Sequence, residues 1–125
     1  MPHRRALLLE DDAALRELLQ EAFATEAIEI RTCESFSEVR DAAARGEANL
    51  VIADFWGGSQ RTLPQRDRED IRELCSYVPV ILLTGRTWAS EMTAEELGAH
   101  ALIRKPFDLD ELLRIVEAAI GNHQS

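Results

Sequence analysis

Leu50-Val51-Ile52-Ala53 runs four apolar residues together and ends on Asp54. A strand with one face in water alternates apolar and polar side chains. A continuous apolar run is covered on both faces, as in a parallel sheet with helices packed above and below. Pro79-Val80-Ile81-Leu82-Leu83-Thr84 repeats the pattern, so both segments read as central strands. Outward from them, further apolar runs at 6–9, 28–33 and 100–103 alternate with stretches of helical spacing. Five short strands joined by helical crossovers predict an α/β fold, a doubly wound parallel sheet forming one domain over residues 1–125.

The helices are legible to different degrees. Leu15, Leu18, Leu19, Ala22 and Phe23 form an apolar stripe with Arg16, Glu17 and Glu21 on the other side, and Asp12 is placed to cap its start. A second helix uses Phe36, Val39, Ala42 and Ala43 and stops at Gly46, a residue suited to the left-handed conformation past a helix end. Residues 57–70 show no clean period, which predicts a long loop and a third helix starting near Arg66, with Ile71, Leu74, Cys75 and Val78 buried. In 86–98, Trp88 and Met92 share a face and Thr93 with Glu96 resembles a capping box. The last helix carries the same signature at Asp108 and Glu111, then Leu109, Leu112, Leu113, Val116 and Ile120 before Gly121.

Composition excludes several function classes. Twenty-three acidic against fourteen basic side chains give a net charge of -9, the wrong sign for a phosphate-backbone partner, so no direct contact with nucleic acid is expected. Arg61, Arg66, Arg68 and Arg72 are interleaved with Asp67, Glu69 and Asp70 and read as a solvated segment. No apolar stretch approaches the roughly 20 residues that cross a bilayer. The Ala6–Leu9 run after Arg4-Arg5 is too short for a signal sequence, so the expected location is cytoplasmic. Cys33 and Cys75 fit no metal spacing and read as buried reduced thiols, and His3, His100 and His123 are scattered.

The strand ends carry the chemistry. Leu7-Leu8-Leu9 is followed by Glu10-Asp11-Asp12, the central run by Asp54, and Ala101-Leu102-Ile103 shortly by Lys105-Pro106. In an open parallel sheet the carboxyl ends of the strands share one edge, and ligands bind in the crevice outside it. Three carboxylates there repel one another by about 4 kcal/mol per pair at 4 Å and an effective dielectric near 20, a cost that a cation relieves. Hard oxygens with no His or Cys beside them favour magnesium over zinc. With the ion bound, an Asp54 oxygen is free to attack phosphorus, while Lys105, the Thr84 hydroxyl and backbone amides near Trp56 and Gly85 surround the transferring oxygens. The bond into Pro106 reads equally well as cis, turning Lys105 toward the crevice, or as a trans proline ending the strand.

Taken together these motifs resemble the receiver domain of bacterial two-component response regulators. The resemblance covers nearly the whole chain through Leu-Leu-Leu-Glu-Asp-Asp, Val-Ile-Ala-Asp, Val-Ile-Leu-Leu-Thr-Gly and Gly-Ala-His-Ala-Leu-Ile-Arg-Lys-Pro-Phe. It implies a flavodoxin-like (βα)5 sheet of order 2-1-3-4-5, the order the receiver fold itself exemplifies. It further implies that Asp54 takes a phosphoryl group from a histidine kinase or phosphotransfer protein. Asp11 and Asp54 would ligate Mg2+, Glu10 would act largely through a water, and the Trp56 backbone carbonyl would be another ligand. Thr84 would swing toward the phosphoryl group, Lys105 would pair with it, and the bond into Pro106 would be cis. Output would appear on the face of the fourth helix, fifth strand and fifth helix, toward a downstream protein target, and a homodimer is among the states the resemblance allows. Such a domain catalyses its own phosphorylation and dephosphorylation and turns over no separate metabolite.

Departures from the family pattern set the alternatives. Leu102 stands where many receivers have an aromatic switch residue, Gly58 replaces a common proline, and Gln60-Arg61-Thr62 replaces the usual entry to the third helix. These motivate a second reading, a receiver-like interaction module that signals without phosphorylation. Trp56 and Arg86, two past Asp54 and Thr84, would flank the path of an attacking water, so steric shielding of a phosphoryl group is expected there; Trp56 serving as an outward partner-binding anchor is the competing view. A hydrolase of the haloacid dehalogenase type would need an acid at position 56, where this chain has Trp. A flavin carrier would meet acids where it needs a phosphate loop.

Overall fold

The computed structural model describes residues 4–54, 65–84 and 93–123. Its strands are β1 (Arg5–Leu9), β2 (Glu29–Cys33), β3 (Leu50–Ala53), β4 (Val80–Thr84) and β5 (Ala101–Arg104). Between and after them lie α1 (Ala13–Thr25), α2 (Phe36–Ala44), α3 (Gln65–Cys75), α4 (Ala94–Leu97) and α5 (Leu109–His123). All the strand pairs are parallel, and the order is β2-β1-β3-β4-β5, the arrangement expected from the sequence.

Strand side chains alternate between the two faces of the sheet, and each face has its own core. Leu7, Leu9, Val51, Ala53, Val80 and Leu82 meet Val39 and Ala42 of α2, Ile71 and Leu74 of α3 and Leu97 of α4. Ala6, Leu8, Leu50, Ile52, Ile81 and Leu83 meet Leu19 and Phe23 of α1 and Leu112 and Val116 of α5. The central strands β3 and β4 are buried along their whole length, which is why they lack alternation.

Register fixes the heights of the strand ends. Leu9 pairs with Cys33 on one side and Ala53 on the other, and Ala53 pairs with Leu82. Glu10 and Asp54 therefore leave the sheet at the same level, tied by the Asp54 amide donating to the Leu9 carbonyl at 2.9 Å. At the far side Arg104 pairs with Thr84, and the Lys105 amide donates to the Thr84 carbonyl at 2.8 Å.

Caps follow the sequence closely. Asp12 accepts from the amides of Ala14 and Leu15 at 3.0 and 3.2 Å, and Ser35 accepts from Glu38 at 3.2 Å. Gly46, past α2, has φ +75, the left-handed conformation that glycine adopts without a Cβ penalty. Thr93 and Glu96 form the reciprocal capping box of α4, which closes after one turn at Gly98, φ +79.

Three expectations change. Leu18 is 46% exposed: α1 buries Leu19 and Phe23, with Leu15 and Ala22 at the margins, so the covered stripe is narrower than the apolar one. The Asp108 side chain accepts from the Asp110 amide at 2.9 Å, capping the second position of α5. Finally, α5 continues through Gly121 to His123, because glycine costs a helix only about 1 kcal/mol and the packed Val116, Ala119 and Ile120 hold the turns before it. Trp88 and Met92 lie outside the described residues, as does the part of the expected loop before Gln65. No described helix is long and apolar enough to cross a membrane.

Candidate functional site

Four strand ends deliver the site. Glu10 and Asp11 follow β1, Asp54 follows β3, Thr84 closes β4 and Lys105 follows β5. Glu10, Asp11 and Asp54 each place a carboxylate oxygen within 4.8 Å of the others. Glu10 and Asp54 are nearly closed off, their side chains 1% and 12% exposed, whereas Asp11 is exposed. Thr84 is buried beside them at 1% exposure. The sequence placed these residues together, and the fold brings them to one crevice.

Lys105 spans the group. Its Nζ donates to Glu10 Oε1 at 2.8 Å and to Asp54 Oδ2 at 3.0 Å. Burial alone pulls the ammonium pKa down, but the hydrogen bonds to Glu10 and Asp54, with their negative charges, outweigh it and leave Lys105 above the ordinary lysine value. It is a fixed positive charge at neutral pH. The bond from Lys105 to Pro106 is cis.

Among the described side chains, Lys105 is one ammonium facing the three clustered carboxylates, which outnumber it by two. The donors are all hard oxygens, so the set fits a magnesium ion, with Asp11 offering the solvent-facing side. The Trp56 carbonyl proposed as a further ligand lies outside the described residues, as do Gly85 and the shielding pair Trp56 and Arg86.

Glu10 is held from two sides besides Lys105. The Asp12 amide donates to its Oε2 at 3.2 Å, and the Arg16 guanidinium donates to its backbone carbonyl at 3.3 Å. Periodicity put Arg16 on the solvent face of α1, yet it is half-buried and reaches back over the loop. The readable signal was a long basic side chain one turn past a capping Asp, within reach of the carbonyls that precede the helix.

Among the described residues, a second cleft lacks this chemistry. Its volume is about 310 Å³; lined by Cys75, Ser76, Val78, Pro79 and His100, it opens at the amino ends of β4 and β5, on the opposite edge of the sheet, and no carboxylate lines it. Cys33 is buried and Cys75 half-buried, and burial raises each thiol to a pKa of about 11.

Comparison with known proteins agrees with this geometry. Residues 6–117 match the family described as the response regulator receiver domain. The chain is 30% identical over 122 residues to the DNA-binding transcriptional regulator NtrC of Bradyrhizobium, a match covering 97% of this chain and 25% of that protein. It is 32% identical over 115 residues to the transcriptional regulatory protein YkoG of Bacillus subtilis, covering 91% of this chain and 50% of that one. The chain thus spans a quarter to a half of these relatives. Among solved structures, a transiently phosphorylated switch in bacterial signal transduction superposes with a TM-score of 0.76 at 27% identity, covering all of both chains. The beryllofluoride-activated NtrC receiver domain gives 0.68 at 26%, again over both chains entirely.

Proposed function

The chain belongs to the response regulator receiver domain family, and on that premise we propose that Asp54 is its phosphoacceptor, working with Mg2+ held by Glu10, Asp11, Asp54 and the Trp56 carbonyl. The observation that carries the reading is the double contact of Lys105 with Glu10 and Asp54 beside a third acid within 4.8 Å. A lone strand-end aspartate has no need of a half-buried counter-charge drawn from the end of the last strand.

The donor is a phosphohistidine of a histidine kinase or phosphotransfer protein. A carboxylate oxygen of Asp54 attacks phosphorus in line; the new P–O bond forms as the P–N bond breaks, and the imidazole leaves with the electron pair. Magnesium, when bound, neutralises charge on the transferring oxygens. Lys105 keeps an ammonium at the same oxygens, and Thr84 offers a hydroxyl from the neighbouring strand end. The near-complete burial of Glu10 and Thr84 limits water around the group. The product is a mixed anhydride on Asp54, read out by a protein target on the face of α4, β5 and α5.

The experiment is incubation with magnesium and acetyl phosphate or phosphoramidate, followed by intact mass. One added phosphoryl group on the wild type and none on Asp54→Asn is the expected result. Equal labelling of both, or of neither, overturns the assignment. A beryllofluoride titration monitored at the Thr84 amide distinguishes the reading from an interaction module that signals without phosphorylation.

A further inference from the structure

We propose that Arg16 is a positioning residue for the metal site, an inference that rests on the magnesium-dependent reading above. The Glu10-Asp11-Asp12 segment leaves β1 with no strand beyond it to hold its backbone. Besides Lys105 on Glu10 Oε1, its tethers among the described residues are local: the Asp12 amide on Glu10 Oε2, the Asp12 carboxylate on the first amides of α1, and the Arg16 guanidinium on the Glu10 carbonyl. The last of these fixes the peptide plane that leads into Asp11. Asp11 is the exposed member of the acidic triad, and its carboxylate takes its place from that peptide.

The sign of the effect separates positioning from simple electrostatics. Arg16 carries a positive charge close to a site for a cation, so charge alone makes it an opponent of magnesium, and its removal would tighten binding. A tether acts the other way. Freeing the Glu10–Asp11 peptide means that ordering it is charged to the binding step, and losses of outer-shell partners weaken metal affinity by about 10–100-fold.

The test is calorimetric titration of the intact protein with magnesium, for the wild type, Arg16→Ala and Arg16→Lys, with amide hydrogen exchange at Asp11 and Asp12 followed in the metal-free state. Positioning predicts roughly tenfold weaker magnesium binding in Arg16→Ala, most of it recovered in Arg16→Lys, together with faster exchange at Asp11 and Asp12 before any metal is added. Unchanged or tighter binding in Arg16→Ala, or unaltered exchange at both amides, overturns the inference while leaving the phosphoacceptor reading intact. A wild type that binds no magnesium overturns both. Alanine is a good helix former and Arg16 lies outside both apolar cores, so the substitution leaves the fold in place.

Discussion

Lys105 reaches Asp54 across the full width of β4: its ammonium, set at the end of the outermost strand, donates to Asp54 Oδ2 at 3.0 Å although the two residues are 51 positions apart. This contact and its twin to Glu10 neutralise only part of the acidic group, and the imbalance makes the site sensitive to each charge in it.

Asp54→Asn keeps the shape and an oxygen for Lys105 but removes one carboxylate. Two acid–acid repulsions disappear against one attraction lost, and water screens all three. In chelator, urea denaturation should therefore show the variant more stable than the wild type by about 1 kcal/mol. Adding magnesium should reverse the order, because only the wild type gains fully from binding.

Asp11 and Asp12 are adjacent acids with separate tasks. Asp11→Asn should weaken magnesium binding by about tenfold or more while barely changing the unfolding midpoint. Asp12→Ala should cost about 1 kcal/mol of stability as a lost cap of α1, with Asp12→Ser restoring it. Calorimetric titration and urea denaturation of the three variants check both halves.

Lys105→Met removes the shared donor. Glu10 is left almost wholly buried without its closest cation, and the expected loss is about 2 kcal/mol in chelator. Magnesium binding should tighten through lost repulsion, while phosphoryl uptake from acetyl phosphate should fall by about 100-fold if the ammonium acts on the transferring oxygens as proposed. Separate measurement of metal affinity and labelling rate tests the split.

The thiols report on the core. With pKa values near 11, Cys33 and Cys75 are protonated at pH 8 and should resist iodoacetamide in native buffer, whereas both alkylate in urea. Linkage fixes the direction with pH: the unfolded thiols ionise near 9 while the folded ones hold their protons. Their contribution is full below pH 9 and declines as pH rises through about 11. Replacing both with Ala should flatten that part of the stability profile.

The sequence disclosed most of this because the informative residues sit where periodicity stops. Asp54 and Thr84 are each the first polar break at the end of an apolar run, Lys105 follows one residue after such a break at Arg104, and a parallel sheet converts that one-dimensional fact into a common edge. Residue pattern alone left Pro106 undecided; family resemblance implied the cis bond that the structure contains. What escaped was set by reach and coverage. Leu18 satisfies helical spacing but has no partner element over it, and Arg16 lies on the polar side yet folds back to a carbonyl six residues earlier. Neither property is encoded in the identity or spacing of the residue itself. Leu102 is half-buried against the core on the α2, α3 and α4 side, so an aliphatic group fills the place where many receivers carry an aromatic ring.

The outermost position of β5 in the sheet has a consequence for biosynthesis. A nascent polypeptide that has emerged only as far as β4 already carries Glu10, Asp11 and Asp54 and lacks Lys105. On the proposed phosphoacceptor reading, such an intermediate has the acids that would hold Mg2+ without the ammonium that would meet the phosphoryl oxygens, so competence to be switched would arrive last, with the closing strand.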